Sequence, residues 1–207
     1  MEEIESFYRF RNSPVRIAIS ARTDRSLPHT LEQRGYTSGG MTQNWYLPLG
    51  ENRTIAPSPR VEVVPVQRNG VEQWINTVAA GFEEEGSEVE ELALPAVMRD
   101  TFYCLGFAKG AQAFLALLNG QVAGGAVLHI CGNVAYIRTA SCRLQYRYQG
   151  VQTALLDARL KAARSAGCDL AFSSTDRLGV SARNLMRFGF KPLSESYLMT
   201  TPERHTF

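Results

Sequence analysis

Residues 134–153 read VAYIRTASCRLQYRYQGVQT, and the way this stretch divides decides the fold. Residues 134–141, after the turn residues Gly132 and Asn133, read as a strand. Tyr146, Arg147, Tyr148, Gln149 and Gly150 then form a glycine-containing turn that opens a helix over residues 151–166. Val151, Ala154, Leu155, Ala158 and Ala162 are expected on its buried face, with Asp157, Lys161 and Arg164 on the wet one. Asp157 and Lys161 make a supporting i,i+4 pair, and Gly167 ends the helix. A helix that starts behind a glycine turn presents unpaired N–H groups and a partial positive charge of roughly half a unit. Backbone of that form can fold around a phosphate. The chain has neither G-x-x-x-x-G-K-[ST] nor G-x-G-x-x-G opening a helix after a strand, so the ATP and dinucleotide signatures are excluded. A phosphate-bearing ligand of another kind remains.

Working outward, Asn119-Gly120 separates β runs at residues 111–118 and 122–130, the strongest short hairpin signal. Upstream, residues 61–66 read as a strand in which Pro65 favours an edge or an early end. Val71, Trp74, Ile75, Val78, Ala79 and Phe82 recur at the spacing of one helix face. A second helix is expected over residues 90–105, with Pro95 near its first turn. Downstream come a strand at residues 169–174, a helix at 181–188 stopped by Gly189, and a strand at 196–200. The class is mixed α/β, with a mostly antiparallel central sheet flanked by helices.

The bulk properties set the frame. The chain has 207 residues, 44% of them hydrophobic, and a formal net charge of +2. That is enough chain for one substantial domain plus an appendage. No apolar run is long enough to span a membrane, and the acidic start Met1-Glu2-Glu3 is unlike a signal or transit peptide. The balanced charge argues against a nucleic-acid partner. Cys104, Cys131, Cys142 and Cys168 lack metal-ligand spacing, as do His29, His129 and His205, so no metal is expected. The cysteines read as reduced thiols, and the chain as soluble and cytoplasmic.

Arg147-x-x-Gly150-x-Gln152, the run Thr153-Ala154-Leu155-Leu156, Ala166-Gly167-Cys168-Asp169-Leu170 entering a strand, and the closing Arg187-Phe188-Gly189-Phe190 together resemble the GCN5-related N-acetyltransferase (GNAT) superfamily. The family signature is Q/R-x-x-G-x-G/A, and the element order from residue 61 agrees with it. The resemblance implies an acyl-CoA N-acyltransferase fold and acetyl-CoA as co-substrate. It places the pyrophosphate on the amides of Gln149, Gly150, Val151, Gln152 and Thr153, with Arg147 and Tyr148 beside them. The pantetheine arm would run along Thr139, Ala140, Ser141 and Cys142 as a pseudo-strand. A strand amide would polarise the acetyl carbonyl, and a primary amine, of a small molecule or a peptide, would attack directly in a ternary complex.

Several positions depart from the family. Gln152 replaces Gly or Ala, Tyr148 a small residue, and Gln149 a basic one. The position of the frequent tyrosine acid holds Leu185, and Leu178 replaces a common asparagine. Ser181 and Asn184 are candidates for substitute cofactor contacts. For acid–base work the candidates are Glu83 and Glu84, in a run continuing through Glu85, Glu88, Glu90 and Glu91, and Tyr197. Each has a plainer reading, a solvated acidic face for the run and a half-buried strand residue for Tyr197. Ser141 and Cys142 read as strand packing rather than nucleophiles. The alternative function is an acyl-CoA-binding sensor or regulator with weak or no turnover.

Residues 1–50 carry a second pattern. Laying Gly35-Tyr36 on Gly189-Phe190 without gaps brings residues 15–20 onto 169–174 and Leu31 onto Leu185. Both copies then read helix, strand, helix, Gly-aromatic, strand. The expected organisation is a degenerate half acetyltransferase-like module at 1–50, a linker at 51–60 rich in proline and arginine, and the acetyltransferase domain at 61–207. Lacking the phosphate turn, the half-module should bind no cofactor. It should pack on the main domain or on another subunit, the second case being a homodimer.

Overall fold

The computed structural model describes residues 1–11, 13–50, 55–82 and 95–201. The acidic run from Glu83 to Glu91 therefore lies outside the described residues, as do residues 51–54 of the expected linker. In chain order the elements are α1 (Glu2–Phe10), β1 (Arg16–Ser20), α2 (Ser26–Gln33), β2 (Thr37–Pro48), β3 (Val61–Pro65), α3 (Val71–Ala80), α4 (Ala96–Phe107), β4 (Ala111–Leu118), β5 (Gln121–Cys131), β6 (Val134–Cys142), α5 (Val151–Ser165), β7 (Leu170–Asp176), α6 (Val180–Arg187) and β8 (Lys191–Thr200). The chain divides into two compact units. One holds residues 46–173 and 186–190, the other residues 1–45, 174–185 and 191–207.

The larger unit is built on the meander β3-β4-β5-β6, each pair antiparallel, with β7 added parallel to β6. Asn119 and Gly120 adopt φ of 49° and 79°, the left-handed pair that a two-residue hairpin turn requires. Pro65 ends β3, as its missing N–H dictates. Gly124 and Gly125, adjacent on β5, record how tightly both faces of the sheet are covered. A Cβ on Gly125 would lie 2.7 Å from Val78 Cγ2 of α3; one on Gly124 would lie 3.0 Å from Val151 Cγ1 of α5. Successive strand residues point to opposite faces, so α3 and α5 cover opposite sides. On the α3 side Trp74, Ile75, Val78, Phe102, Leu115 and Val127 form the core.

Two expectations about this unit need correction, and one buried charge had no expectation attached. Helix α4 starts at Ala96 behind Pro95, which has extended ψ of 141° and caps the helix through its carbonyl, accepting from Met98 and Arg99 N–H. Pro95 is thus beside the first turn, as expected, but the helix starts after it rather than at residue 90, because its extended ψ keeps residue 95 out of the helix; residues 90–94 fall outside the described residues. Asp157 was placed on the wet face of α5 but is only 5% exposed, its carboxylate held 2.8 Å from Lys161 Nζ. Arg159, on none of the expected faces, is 3% exposed. Helix α5 lies across strands β3 to β6 and is covered around most of its circumference, so its polar residues must be satisfied inside.

The smaller unit contains α1-β1-α2 followed by most of β2, then α6 and β8. Strand β8 runs antiparallel to β1, Arg16 opposite Thr200 through Ser20 opposite Ser196, and on its other edge lies beside β2. It starts at Lys191, five residues before the expected 196, because its first half is held by β2: the Gln43 amide donates to Ser194 O at 2.9 Å. Val15, Ile19, Leu31, Tyr36 and Met199 make its core. Helix α1 is tied to the residue after α2 by the Arg34 guanidinium, which donates to both oxygens of Glu5 at 2.9 and 2.6 Å.

Candidate active site

Strand β6 carries the first part of the site. Its pairing with β7 spans only Val134, Ala135 and Tyr136, opposite Leu170, Ala171 and Phe172. The next carbonyl, of Ile137, accepts the Ser173 hydroxyl at 2.7 Å, which closes the ladder. From there to Cys142 the β7-facing edge of β6 has no register partner on β7. An unpaired edge of this kind offers alternating N–H and C=O groups to an amide-bearing chain. On the other edge the register with β5 shifts between Ala126 and Val127: Val127 faces Arg138 and Ala126 faces Ala140. Thr139 is the bulged residue, with φ of 47°.

The end of β6 is rigidly held. The Ser141 hydroxyl is buried and donates to Val78 O at 2.9 Å. Burial pushes the Cys142 thiol up to about 11, although the nearby Arg147 opposes the shift. Neither side chain is poised as a nucleophile, since one is spent on a carbonyl and the other stays protonated. A short 3-10 turn at Leu144–Tyr146 leads to Arg147. Its guanidinium donates to Cys142 O at 3.4 Å and Gly81 O at 3.3 Å, bracing the turn against the end of α3.

The turn itself needs left-handed backbone twice. Tyr148 has φ of 61° and Gly150 φ of 88°. Gly150 is the N-cap of α5 and offers no side-chain cap; the first bond into the helix runs from Ala154 N–H to Gly150 O at 3.0 Å. The amides of Val151, Gln152 and Thr153 precede that bond and are the donors a helix start leaves unpaired. The Tyr148 ring is 96% exposed, standing in solvent rather than over these amides. Val151 is buried, Gln152 and Thr153 are partly exposed, and the Gln149 side chain donates to Gln145 O at 3.1 Å. Thr139, Ala140, Ser141, Cys142 and residues 147–153 thus belong to one unit, on one strand and the helix start that follows it.

The remaining candidates lie elsewhere. Ser181 is exposed and Asn184 partly buried on α6, in the smaller unit. Leu185 is 4% exposed, so the position of the family's frequent tyrosine is an apolar core position here. Tyr197 packs partly buried against the core of the smaller unit. Glu83 and Glu84 are outside the described residues. No group of three or more His, Cys, Asp or Glu side chains able to hold a metal occurs among the described residues. Among the described residues no helix is long and apolar enough to cross a membrane.

Sequence reading missed Arg159. Its Nε donates to Leu155 O at 3.0 Å, and one terminal nitrogen bridges Val127 O at 3.3 Å and Arg138 O at 3.2 Å. Burial lowers its pKa to about 9, which still leaves it charged at neutral pH. The signal was present: residue 159 stands four after Leu155, on an apolar stripe where a solvated arginine does not belong.

No curated protein sequence matches the chain. Among solved structures it is similar to a GCN5-related N-acetyltransferase from Kribbella flavida, at TM-score 0.72 and 15% identity over 99% of this chain and 75% of that one. It is similar to another from Sphaerobacter thermophilus, at TM-score 0.71 and 16% identity over 94% of this chain and 61% of that one. A tandem GNAT protein from the clavulanic acid biosynthesis pathway aligns at TM-score 0.67 and 13% identity, over 98% of this chain and 68% of that one. At such identities the likeness is one of fold. The profile of the Acetyltransferase (GNAT) family matches residues 75–190, from α3 through the turn and α5 to Gly189-Phe190. The chain belongs to the GNAT acetyltransferase family, with the acyltransferase fold that family shares.

Proposed function

We propose that this protein is an acetyl-CoA-dependent N-acetyltransferase that passes the acetyl group to a primary amine, of a small molecule or a peptide, by direct attack in a ternary complex. One observation carries the reading: a helix start with uncapped amides follows, within one turn, a strand whose outer edge is unpaired. The amides of residues 149–153 and the dipole of α5 suit a diphosphate, and Arg147 stands in the same turn, braced on Cys142 O and Gly81 O. The β6 edge from Thr139 to Cys142 suits the two amides of a pantetheine arm. Acetyl-CoA would supply an activated thioester; the chain's part is to align it and to present a backbone donor to its carbonyl. Because Ser141 and Cys142 are not available as nucleophiles, the reading involves no acetylated protein residue. Ser181 and Asn184 remain secondary candidates for cofactor contact, and Glu83, Glu84 and Tyr197 for proton transfer.

Calorimetric titration with acetyl-CoA, followed by assay of free CoA across a panel of amines, tests the proposal. Binding with amine-dependent release supports it; a flat titration removes it. Leu185 favours a second reading, an acyl-CoA-binding sensor, because that buried position has no proton to give. Binding without release to any amine would select that reading.

We also read residues 1–50 as a half-module without a cofactor site. Gly35 (φ 84°) follows α2 as Gly189 (φ 89°) follows α6, and Leu31 and Leu185 are both buried. The order α1-β1-α2-β2 repeats that of α5-β7-α6-β8.

A further inference from the structure

A guanidinium buried without a carboxylate is expensive, and its hydrogen bonds say what it is for. Among the described residues Arg159 bonds only main-chain carbonyls, and two of the three belong to the bulge where β5 and β6 lose register. The Arg138 carbonyl points at the guanidinium. In a trans peptide the N–H lies opposite the C=O, so the amide of Thr139 points away from Arg159, toward the edge of β6 that β7 leaves unpaired. That peptide therefore has a buried cation on its oxygen, and its nitrogen belongs to a residue with no register partner on β5 or β7. A charge-assisted bond at a carbonyl withdraws density from the peptide and makes its N–H a stronger donor, an effect that low dielectric enlarges.

We propose that Arg159 is a positioning residue that fixes the bulge at Thr139 and polarises the 138–139 peptide, so that the Thr139 N–H is the donor to the acyl carbonyl. This rests on the reading of the β6 edge as the seat of the thioester arm. The bulge alone would turn the amide outward; the cation behind it holds the peptide in one orientation and strengthens the donor. The left-handed φ of Thr139, costly for a β-branched residue, is consistent with an orientation imposed by its surroundings.

The test is the infrared carbonyl stretch of [1-13C]acetyl-CoA bound to wild type, Arg159→Lys, Arg159→Gln and Arg159→Met. Wild type should shift the band to lower wavenumber than free acetyl-CoA; Lys should keep most of that shift, Gln less, and Met little. Affinity for CoA lacking the acetyl group should change less than threefold across the series. A shift equal in wild type and Arg159→Gln would overturn the proposal, because Gln keeps a donor and loses only the charge. Should Met fail to fold, the Lys and Gln pair still decides. If wild type binds no acetyl-CoA at all, the reading of the β6 edge has failed instead, which titration shows before any variant is made.

Discussion

Gly81 and Ser141 meet with no room for a methyl group between them: a Cβ on Gly81 would lie 2.5 Å from Ser141 Cβ and 2.8 Å from Cys142 N. The last turn of α3 is thereby seated directly on the end of β6, and the Gly81 carbonyl is in place to take Arg147. Gly81 has ordinary helical φ and ψ, so the strain of a substitution would be wholly steric. Gly81→Ala should destabilise the protein by about 1–3 kcal/mol, the usual cost of overpacking. A urea unfolding series checks this, and a loss below about 0.5 kcal/mol, within the range of ordinary surface changes, would show that α3 is free to move off the strand.

Local signals in the sequence were sufficient wherever a single turn or helix face decided the outcome. Asn119-Gly120 specified its hairpin because both residues tolerate left-handed φ, and Gly167, at φ of 78°, ends α5 for the same reason. The helix face of Val71, Trp74, Ile75, Val78 and Ala79 was legible because those side chains go to a single core, whereas Phe82, counted with them, lies past the end of α3 and is 56% exposed. The turn before α5 could be read because Gly150, at φ of 88°, announces its left-handed backbone. What stayed hidden depends on partners distant in sequence. The bulge at Thr139 comes from the register between β5 and β6, and the burial of Asp157 and Arg159 from strands packed around α5. Groups for proton transfer have no motif to announce them, since tertiary placement sets such groups.

The turn offers a sharper substitution. Gly150 combines φ of 88° with a would-be Cβ 3.2 Å from Ser58 Cβ. Gly150→Ala should cost about 1–2 kcal/mol from the left-handed backbone alone. If the turn amides hold the diphosphate, acetyl-CoA affinity should fall at least tenfold as the turn shifts. Gly150→Asn, which visits left-handed conformations more readily, should recover part of the stability. Paired urea and calorimetric series measure both; lost stability with unchanged affinity would detach the turn from cofactor binding.

Thiol chemistry separates the cysteines. Cys104 and Cys131 are exposed, Cys142 and Cys168 buried. Native protein treated briefly with iodoacetamide at pH 8 should be alkylated at the first two and spared at Cys142, as peptide mass spectrometry would reveal. Burial raises the folded Cys142 thiol from its ordinary 9.0 to about 11. A raised pKa means the folded state holds the proton more tightly, so this contribution is complete below pH 9 and is lost as pH climbs toward 11. Cys142→Ala should therefore flatten the alkaline limb of the stability–pH curve. An unchanged limb would place its cause in other groups.

Finally, the number of sites per chain tests the half-module reading. Residues 1–50 supply a helix, a strand, a helix ended by Gly35, and a strand, yet α1 begins at Glu2 with three acidic residues, Glu2, Glu3 and Glu5, on its first turn. Carboxylates there compete with any phosphate for the helix start, the reverse of α5, whose first turn has no acidic residue. Acetyl-CoA should therefore bind with a stoichiometry of one, and the isotherm should fit a single class of site. Reversing the charge in Glu2→Lys together with Glu3→Lys should leave that stoichiometry and affinity within twofold. A second equivalent bound by wild type, abolished by Gly150→Ala at only one of the two sites, would mean that the N-terminal half holds a cofactor of its own.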